Sequence, residues 1–284
     1  MLQVLLGLDI SGKQIQRVSE YYGDKIEEIE QQDDEKQVLA LKNPREAVYI
    51  MFDGGMVLTR ENDWMEMKVG RAFSQSSCVS VQPERNEIIH SDYVCHLGGS
   101  KDFLKKWERH IEAYNNKIFI ADGAKWIWNY VEDAYPQSIQ ILDFFHAVEK
   151  LGCYANARYP MDAEYRKEWL HLQKQRLLNN GIADIIKELE QATTHSDEAL
   201  QALKEVLGYY KNNESRMHYQ SYLQAGYLIG SGAMEAAHRN VVQQRLKLSG
   251  QRWSVDGAQK IVNLRAYKKS KQWHRVETLI KTAA

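Results

Sequence analysis

The chain has 284 residues, of which 44% are hydrophobic and 26% are charged, and its formal net charge is −1. No apolar run reaches the roughly 18–20 residues that a membrane span needs, the N-terminus lacks the features of a signal peptide, and the three cysteines form no CxxC pair. The sequence therefore favours a cytoplasmic protein of one large domain, or a domain with an insertion, without disulfides, structural zinc or a membrane anchor.

The N-terminal segment is predicted to form short helices followed by a linker. Ser11 is expected to cap a helix that carries Ile15 and Val18 on one face. Gly23 is expected just beyond the end of that helix. The preceding MLQVLLGL is too short for a good first helix of a helix-turn-helix unit, so a surface helix of no special role is an equally good interpretation. Residues 27–45, which include EEIEQQDDE, are predicted to be an exposed acidic linker.

From residue 46 the pattern changes to strands and helices. REAVYIMFDGG predicts a strand, and DWMEMKVGRAFSQ and NEIIHSDYVCHLG predict two more that follow in a hairpin-connected meander. SKDFLKKWERHIEAYN has a helical period with Ser100 as its cap. KIFIAD, GAKWIWNYVEDAY and QSIQILDFF then predict a strand, a helix and a strand. Residues 146–225 are almost wholly helical in pattern, with breaks at Gly181 and THSDE.

Two Asp-Gly pairs follow predicted strands. Asp53 and Asp122 each close an apolar run, and the glycine after each leaves room for a phosphate and a metal ion. Asp-Gly is also a common turn dipeptide, so either pair alone is explained as well by a turn. Magnesium prefers carboxylate oxygens, and two-metal phosphoryl transfer needs ions roughly 3.5–4 Å apart. Neighbouring strands that present both carboxylates side by side would suit that chemistry.

Glu235 is a third candidate carboxylate. Ser231 or Gly232 is expected to begin a helix with Glu235 in its first turn, where the helix dipole alone also favours an acidic residue. His238 and Arg239 follow at helical spacing on the same face. A metal ligand beside a phosphate-binding cation would form one edge of an active site.

The segment from residue 239 to 275 is rich in basic residues, although the whole chain is nearly neutral. Surface charges act only within about a Debye length, roughly 8–10 Å, so this local excess is what predicts a DNA-facing surface. For Trp253, stacking on an unpaired base competes with core packing, which is the slightly better explanation. The candidate DNA-binding residues are Arg239, Arg245, Lys247, Arg252, Trp253, Arg265, Lys268 and Lys269.

Asp143 and His146 form a D-x-x-H pattern at the end of the last predicted strand. The spacing allows a contact between the two side chains or joint placement at the site. A lone histidine is more often structural than catalytic, so we favour a structural or supporting role for the pair.

Four stretches resemble one known group of proteins. They are FDGG, IADGAKWIWNYV, ILDFFHAVEKL and GSGAMEAAHRNVVQQRLKLSGQRWS, and with their connections the resemblance covers roughly residues 46–275. The chain resembles bacterial insertion-sequence transposases of the ISKra type, relatives of the Mutator-like DDE transposases. The last stretch is long and distinctive, which makes the resemblance more specific than a short motif.

The resemblance implies an α/β fold with a ribonuclease-H-like mixed sheet, flanking helices and an all-helical insertion. It implies that Asp53, Asp122 and Glu235 form the catalytic triad and bind two Mg²⁺ ions, for which Mn²⁺ can substitute. Asp143, His146 and His238 would be auxiliary, with the first two matching the group's Asp/Cys-x-x-His signature. The expected parts are a partial N-terminal DNA-binding helix with an acidic linker at 1–45, the first part of the core at 46–146, the insertion at 147–228, and the C-terminal core with its basic surface at 229–284.

The expected partners are DNA, as terminal inverted repeats and target, and further copies of the chain on that DNA in the nucleoid. Members of the group usually carry a longer N-terminal recognition region. The chain is therefore expected to be a truncated copy, or to have its true start upstream.

Three alternatives from the sequence stay open. The first is a catalytically silent or domesticated DNA-binding protein derived from a transposase. The second is a ribonuclease-H-like nuclease that cleaves without joining. The third is a helical scaffold protein in which the carboxylates are merely structural.

Overall fold

The computed structural model describes residues 9–32, 45–82, 85–194 and 196–282. It divides into two compact units, the first formed by Met1–Lys117 with Ala233–Ala284 and the second by Ile118–Gly232. None of the helices in the described ranges is both long and apolar enough to cross a lipid bilayer.

An N-terminal helix is followed by five strands, then helices and strands alternate up to the last strand, and the later elements are helical. The strands are β1 (Ala47–Leu58), β2 (Trp64–Ser74), β3 (Cys78–Gln82), β4 (Arg85–Ile88), β5 (Asp92–Leu97), β6 (Asn116–Ala121) and β7 (Ile139–Leu142). The α-helices are α1 (Gly12–Gln32), α2 (Ser100–Ile111), α3 (Lys125–Ala134), α4 (Phe144–Arg158), α5 (Ala163–Leu178), α6 (Ile182–Glu190), α7 (Asp197–Asn213), α8 (Tyr219–Gln224), α9 (Gly232–Ala237), α10 (Gln244–Leu246), α11 (Val255–Lys269) and α12 (Trp273–Thr282). The remaining helical turns are the 3₁₀ segments Gln75–Ser77 and Glu214–Arg216 and a π-helix at His238–Gln243.

The first unit contains an antiparallel sheet in the order β5-β2-β1. Five consecutive β1 residues, from Val48 to Phe52, are at most 1% exposed, so both faces of this strand are covered. Helix α2 packs against the sheet through Phe103 and Trp107, and the Trp107 ring lies where a Cβ on Gly70 would be. These contacts make β1 and β2 the centre of the unit's core.

The second unit contains the parallel pair β6-β7 and a set of helices. In the register, Ala121 of β6 pairs with Leu142 of β7, so Asp122 and Asp143 follow at the same edge. Helix α4 begins directly after β7 and packs against α5 and α7. The chain is thus a mixed α/β protein, and the predicted helical insertion at 147–228 lies wholly within this unit.

The N-terminal helix differs from its prediction. Gly23 lies inside α1 and not beyond its end. At this position α1 packs closely against α11, and a Cβ on Gly23 would lie 2.2 Å from the backbone oxygen of Lys260. Ile26 is buried in a cluster with Tyr267 and Val276. Glycine marks a close approach between helices here, whereas the sequence pattern indicated a stop.

Two further local predictions need correction. Helix α2 begins at Ser100 itself, and its N-cap is Gly99, which makes no side-chain capping bond. Strands β2 and β5 are neighbours, but the chain between them forms the separate two-stranded sheet β3-β4, not a simple hairpin.

Part of the N-terminal prediction lies outside the described residues. The MLQVLLGL segment occupies residues 1–8, and most of the predicted acidic linker occupies residues 33–44. The part of that linker up to Gln32 is helical.

Two glycine-to-alanine variants test the close packing of α1. We expect Gly23→Ala to lower the free energy of unfolding by about 1–3 kcal/mol, because the added methyl group collides with backbone. Gly208→Ala in α7 is the matched control, since nothing lies within 4 Å of its Cβ position. It should raise the free energy of unfolding by about 0.5–1 kcal/mol. Equal stabilisation by both variants in urea denaturation would contradict the packing.

Candidate functional site

Asp53 lies in the middle of β1, which corrects the prediction that it closes the strand. Pairing with β2 continues past it, with Gly54 opposite Lys68 and Gly55 opposite Met67. The strand continues because neighbouring side chains fill the space that the glycines leave: a Cβ on Gly54 would lie 1.7 Å from Glu66 Oε1. The glycines therefore serve close packing and not a turn. The Asp53 side chain itself is 46% exposed.

His238 is packed against this part of β1. Its Nε2 atom lies 3.5 Å from Asp53 Oδ2, and its ring lies 3.0 Å from the Cβ position of Gly55. The His238 side chain is only 10% exposed. One histidine thus lies beside a partly exposed carboxylate and also fills the space beside the second glycine.

Glu235 begins the segment that carries His238. As expected, it lies in the first turn of a helix that starts at Gly232, and it is exposed. The α-helix changes to a π-helix at His238. Such π-turns are rare and are found frequently at functional sites. His238 is buried whereas Arg239 is exposed, so the first unit brings Asp53 together with His238 on the Glu235-bearing segment.

Asp122 follows β6 directly, as predicted. Its Oδ1 accepts a hydrogen bond from the Ala124 N–H at 3.0 Å, and its backbone oxygen accepts one from the Trp128 indole at 2.6 Å. These bonds fix the loop between β6 and α3. The Asp122 side chain is partly exposed at the edge where β6 and β7 end.

Asp143 is buried and has a structural role in the second unit. It caps α4 by accepting the His146 N–H at 2.7 Å, and its other oxygen accepts the Ser231 N–H. Burial raises the pKa of Asp143, but the hydrogen bonds from His146 and Ser231 outweigh burial and leave the pKa below its ordinary value. Asp143 therefore fixes backbone at the edge of the strands.

His146 completes the D-x-x-H pattern. Its Nδ1 lies 3.2 Å from Asp143 Oδ1, and its side chain is 42% exposed. The contact with Asp143, aided by the negative charge of Asp122, raises the pKa of His146 from its ordinary value of 6.5 to about 9. Near neutral pH His146 is therefore a cation in the same electrostatic cluster as the two carboxylates.

Tyr209 is a member of this cluster that the sequence did not single out. Its ring lies 2.1 Å from the Cβ position of Gly123, so the second Asp-Gly pair is also closed by a neighbouring side chain. Burial, followed by the charges of Asp122 and Asp143, raises the pKa of Tyr209. Tyr209 lies in an ordinary helical repeat on α7, and no local signal distinguishes it from a core tyrosine.

The predicted DNA-binding residues differ in their surroundings. Arg265 is half-buried and donates to the backbone oxygens of Val241 and Asn240, so it stabilises the π-helix. Trp253 is half-buried, and the Arg245 guanidinium lies 4.7 Å from its ring centroid and covers one face. The exposed members are Arg239, Arg245, Lys247, Arg252, Lys268 and Lys269.

No preassembled metal cluster is found in the described ranges. There, no three His, Cys, Asp or Glu side chains are grouped closely enough to hold an ion. Magnesium, however, usually keeps several waters and binds through one or two carboxylates together with substrate phosphates. The partly exposed oxygens of Asp53, Asp122 and Glu235 are of the type that such binding uses.

Comparison with protein-family models gives no match for the chain, and comparison with curated proteins gives none either.

The contact between His146 and Asp143 predicts a pH dependence of stability. The pKa of His146 is higher in the folded protein, about 9, than its ordinary value of 6.5. The contact therefore stabilises the fold fully below about pH 6.5, and that stabilisation is lost as pH rises through about 9.

We expect the difference in unfolding free energy between the unchanged protein and His146→Gln to be largest at the acidic end of this window. His171→Gln, at an exposed histidine of α5, controls for the loss of an imidazole. Urea denaturation across the window measures the difference, and a constant difference at every pH would contradict the contact.

Proposed function

We propose that the protein is a DDE transposase that cuts and joins DNA strands in a metal-dependent reaction. Asp53, Asp122 and Glu235 would be the metal ligands, with Mg²⁺ as the physiological ion and Mn²⁺ as a substitute. The partners would be the element's terminal inverted repeats, the target DNA and further copies of the chain. The proposal includes a ribonuclease-H-like core, which agrees with the mixed α/β architecture.

The observation that carries the proposal is the contact between Asp53 and His238. It joins a partly exposed carboxylate on a central strand to the helical segment that begins at Glu235. The two acids are far apart in the chain, and this contact brings the segment that carries Glu235 against the strand that carries Asp53. The exposed cations that follow, Arg239, Arg245 and Lys247, suit a phosphate backbone.

The proposed reaction has two steps, hydrolysis of a phosphodiester bond and transfer of the freed strand end. In the first, a water oxygen bonds to phosphorus at the element's end and the bond to the 3′ oxygen breaks, leaving a 3′-hydroxyl. In the second, that hydroxyl oxygen bonds to a target phosphorus, loses its proton to solvent, and displaces a target 3′ oxygen, which takes up a proton. Bound divalent cations would activate the attacking oxygen and stabilise charge on the phosphate.

The protein's own groups have separate tasks in this scheme. His238 would orient Asp53, and the hydrogen bonds from the Ala124 N–H and the Trp128 indole would orient the Asp122 loop. The exposed arginines and lysines would hold the DNA backbone, which carries no sequence information by itself.

Replacing each carboxylate by its amide tests the assignment. We expect Asp53→Asn, Asp122→Asn and Glu235→Gln each to reduce strand transfer on the order of a hundredfold or more, because an amide is a poor metal ligand. The assay uses purified protein, Mg²⁺ and DNA from the two sides of its coding sequence. Joined products are measured on sequencing gels.

Asp184→Asn is the matched control, because Asp184 has a side chain 73% exposed on α6, outside the proposed site. It should join strands at the normal rate. Normal joining by Asp122→Asn would overturn the catalytic assignment. Cleavage without any joined product would favour a ribonuclease-H-like nuclease, and DNA binding without either reaction would favour a catalytically silent derivative.

A further inference from the structure

A cleft in the first unit has neither Asp53 nor Glu235 among its lining residues. It has a volume of about 410 Å³, within the roughly 300–1,000 Å³ of small-molecule sites. Five parts of the unit form it: helix α1, the turn after β1, helix α10, the loop between α10 and α11, and helix α11. We call it the arginine cleft, and its lining residues used below are Ile15, Glu20, Arg60, Arg245, Gln251, Arg252, Trp253 and Ile261.

The arginine cleft carries an excess of positive charge. Arg60, Arg245 and Arg252 line it, whereas Glu20 is the acidic residue among its described lining. In the described part of the chain, no carboxylate forms an ion pair with any of these three arginines. Burial lowers the pKa of nearby Arg265, and the charge of Arg245 lowers it further. A lining in which arginines outnumber carboxylates favours an anionic ligand.

The cleft is also partly apolar and aromatic. Trp253 is held in place at its backbone, where its oxygen accepts the Arg60 N–H at 2.9 Å. The Arg245 guanidinium covers one face of its ring. Ile15, 46% exposed, adds an open apolar surface on the α1 side. A ligand that matches this lining has a planar apolar part next to its negative charge.

Two residues of the lining, Gln251 and Trp253, each carry a buried polar atom without a partner. The Trp253 indole N–H and the Gln251 amide oxygen have no hydrogen-bond partner within the described ranges. One is a donor and the other an acceptor. Both atoms are themselves buried, so the choice of ligand rests on the exposed arginines and on the Trp253 and Ile15 side chains of the lining.

We propose that the arginine cleft binds one nucleotide of an unpaired DNA strand. Its phosphate would lie at Arg245 and Arg252, and its base would lie against the Ile15 and Trp253 side. A paired base is stacked within its duplex, so a base must be unpaired to enter a cleft. The choice of DNA as ligand rests on the proposed function, whereas the choice of a nucleotide rests on the lining alone.

The experiment compares Arg252→Ala with the unchanged protein by fluorescence anisotropy over a range of salt concentrations. The three labelled probes are a short oligothymidylate, a fully paired hairpin and a strand of the same length that lacks its bases, and the competitor is free thymidine monophosphate. Arg252 is exposed, so its truncation spares the core. Lys167→Ala, at an exposed lysine of α5, controls for the loss of one surface cation.

We expect Arg252→Ala to bind the oligothymidylate several-fold more weakly. The magnitude of its salt slope should fall by about 0.7, the value for one phosphate contact on a single strand. The hairpin should be affected less, and Lys167→Ala should match the unchanged protein. A strand that lacks its bases should bind the unchanged protein more weakly than the oligothymidylate does.

Each contrary result overturns the inference. If Arg252→Ala binds oligothymidylate as the unchanged protein does, Arg252 does not contact the phosphate. Competition by thymidine monophosphate at the same concentration as the oligothymidylate identifies a free-nucleotide site instead, and failure to bind any of the three probes removes the site. If the unchanged protein transfers strands normally and its DNA binding does not depend on Arg252, the proposed function stands and the nucleotide site is wrong. Failure of the nucleotide site is therefore distinguishable from failure of the proposed function.

Discussion

The second unit depends on a single buried carboxylate at the end of β7. Asp143 caps α4, its backbone N–H donates to Ala121 at the end of β6, and its second oxygen accepts the Ser231 N–H. Two strand ends, a helix start and the segment that leads into Gly232 are therefore fixed by one residue. Removing that carboxylate would leave buried N–H groups without partners, at a cost of about 1–3 kcal/mol each. Because Asp122 directly follows Ala121, the Asp143 N–H also helps to fix the backbone position of Asp122, a candidate metal ligand.

Much of the fold can be predicted from the spacing of apolar residues in the sequence, because this spacing reflects which face of a strand or helix is buried. KIFIAD and IQIL are strands, and α3, α4 and α9 begin close to their predicted starts. Two of the errors occur where glycine was interpreted as a stop. Gly23 continues a helix and Gly54 continues a strand, since in each case a neighbouring element fills the missing Cβ position. A single sequence shows the glycine but not the partner that requires it.

The candidate site was predictable in its residue types and not in its local geometry. Asp53, Asp122 and Glu235 stand out by their neighbours in the chain, whereas Tyr209 does not, because its contact with Gly123 joins residues distant in sequence. The π-helix at His238 is equally invisible, although it lies where His238 meets Asp53. Charge counting also failed to separate Arg265, which satisfies backbone oxygens, from Arg252, which is exposed. Long-range packing decides these differences.

The proposed function requires the carboxylates to act through divalent metal ions bound to the reacting phosphate. Its most direct test is strand transfer on DNA in which one oxygen of the reacting phosphate is replaced by sulfur, which Mg²⁺ binds poorly and the softer Mn²⁺ accepts. We expect DNA with one of the two sulfur diastereomers not to be joined in Mg²⁺ and to be joined again in Mn²⁺. Equal joining of both diastereomers in both metals, or joining when a chelator has removed divalent ions, would contradict it.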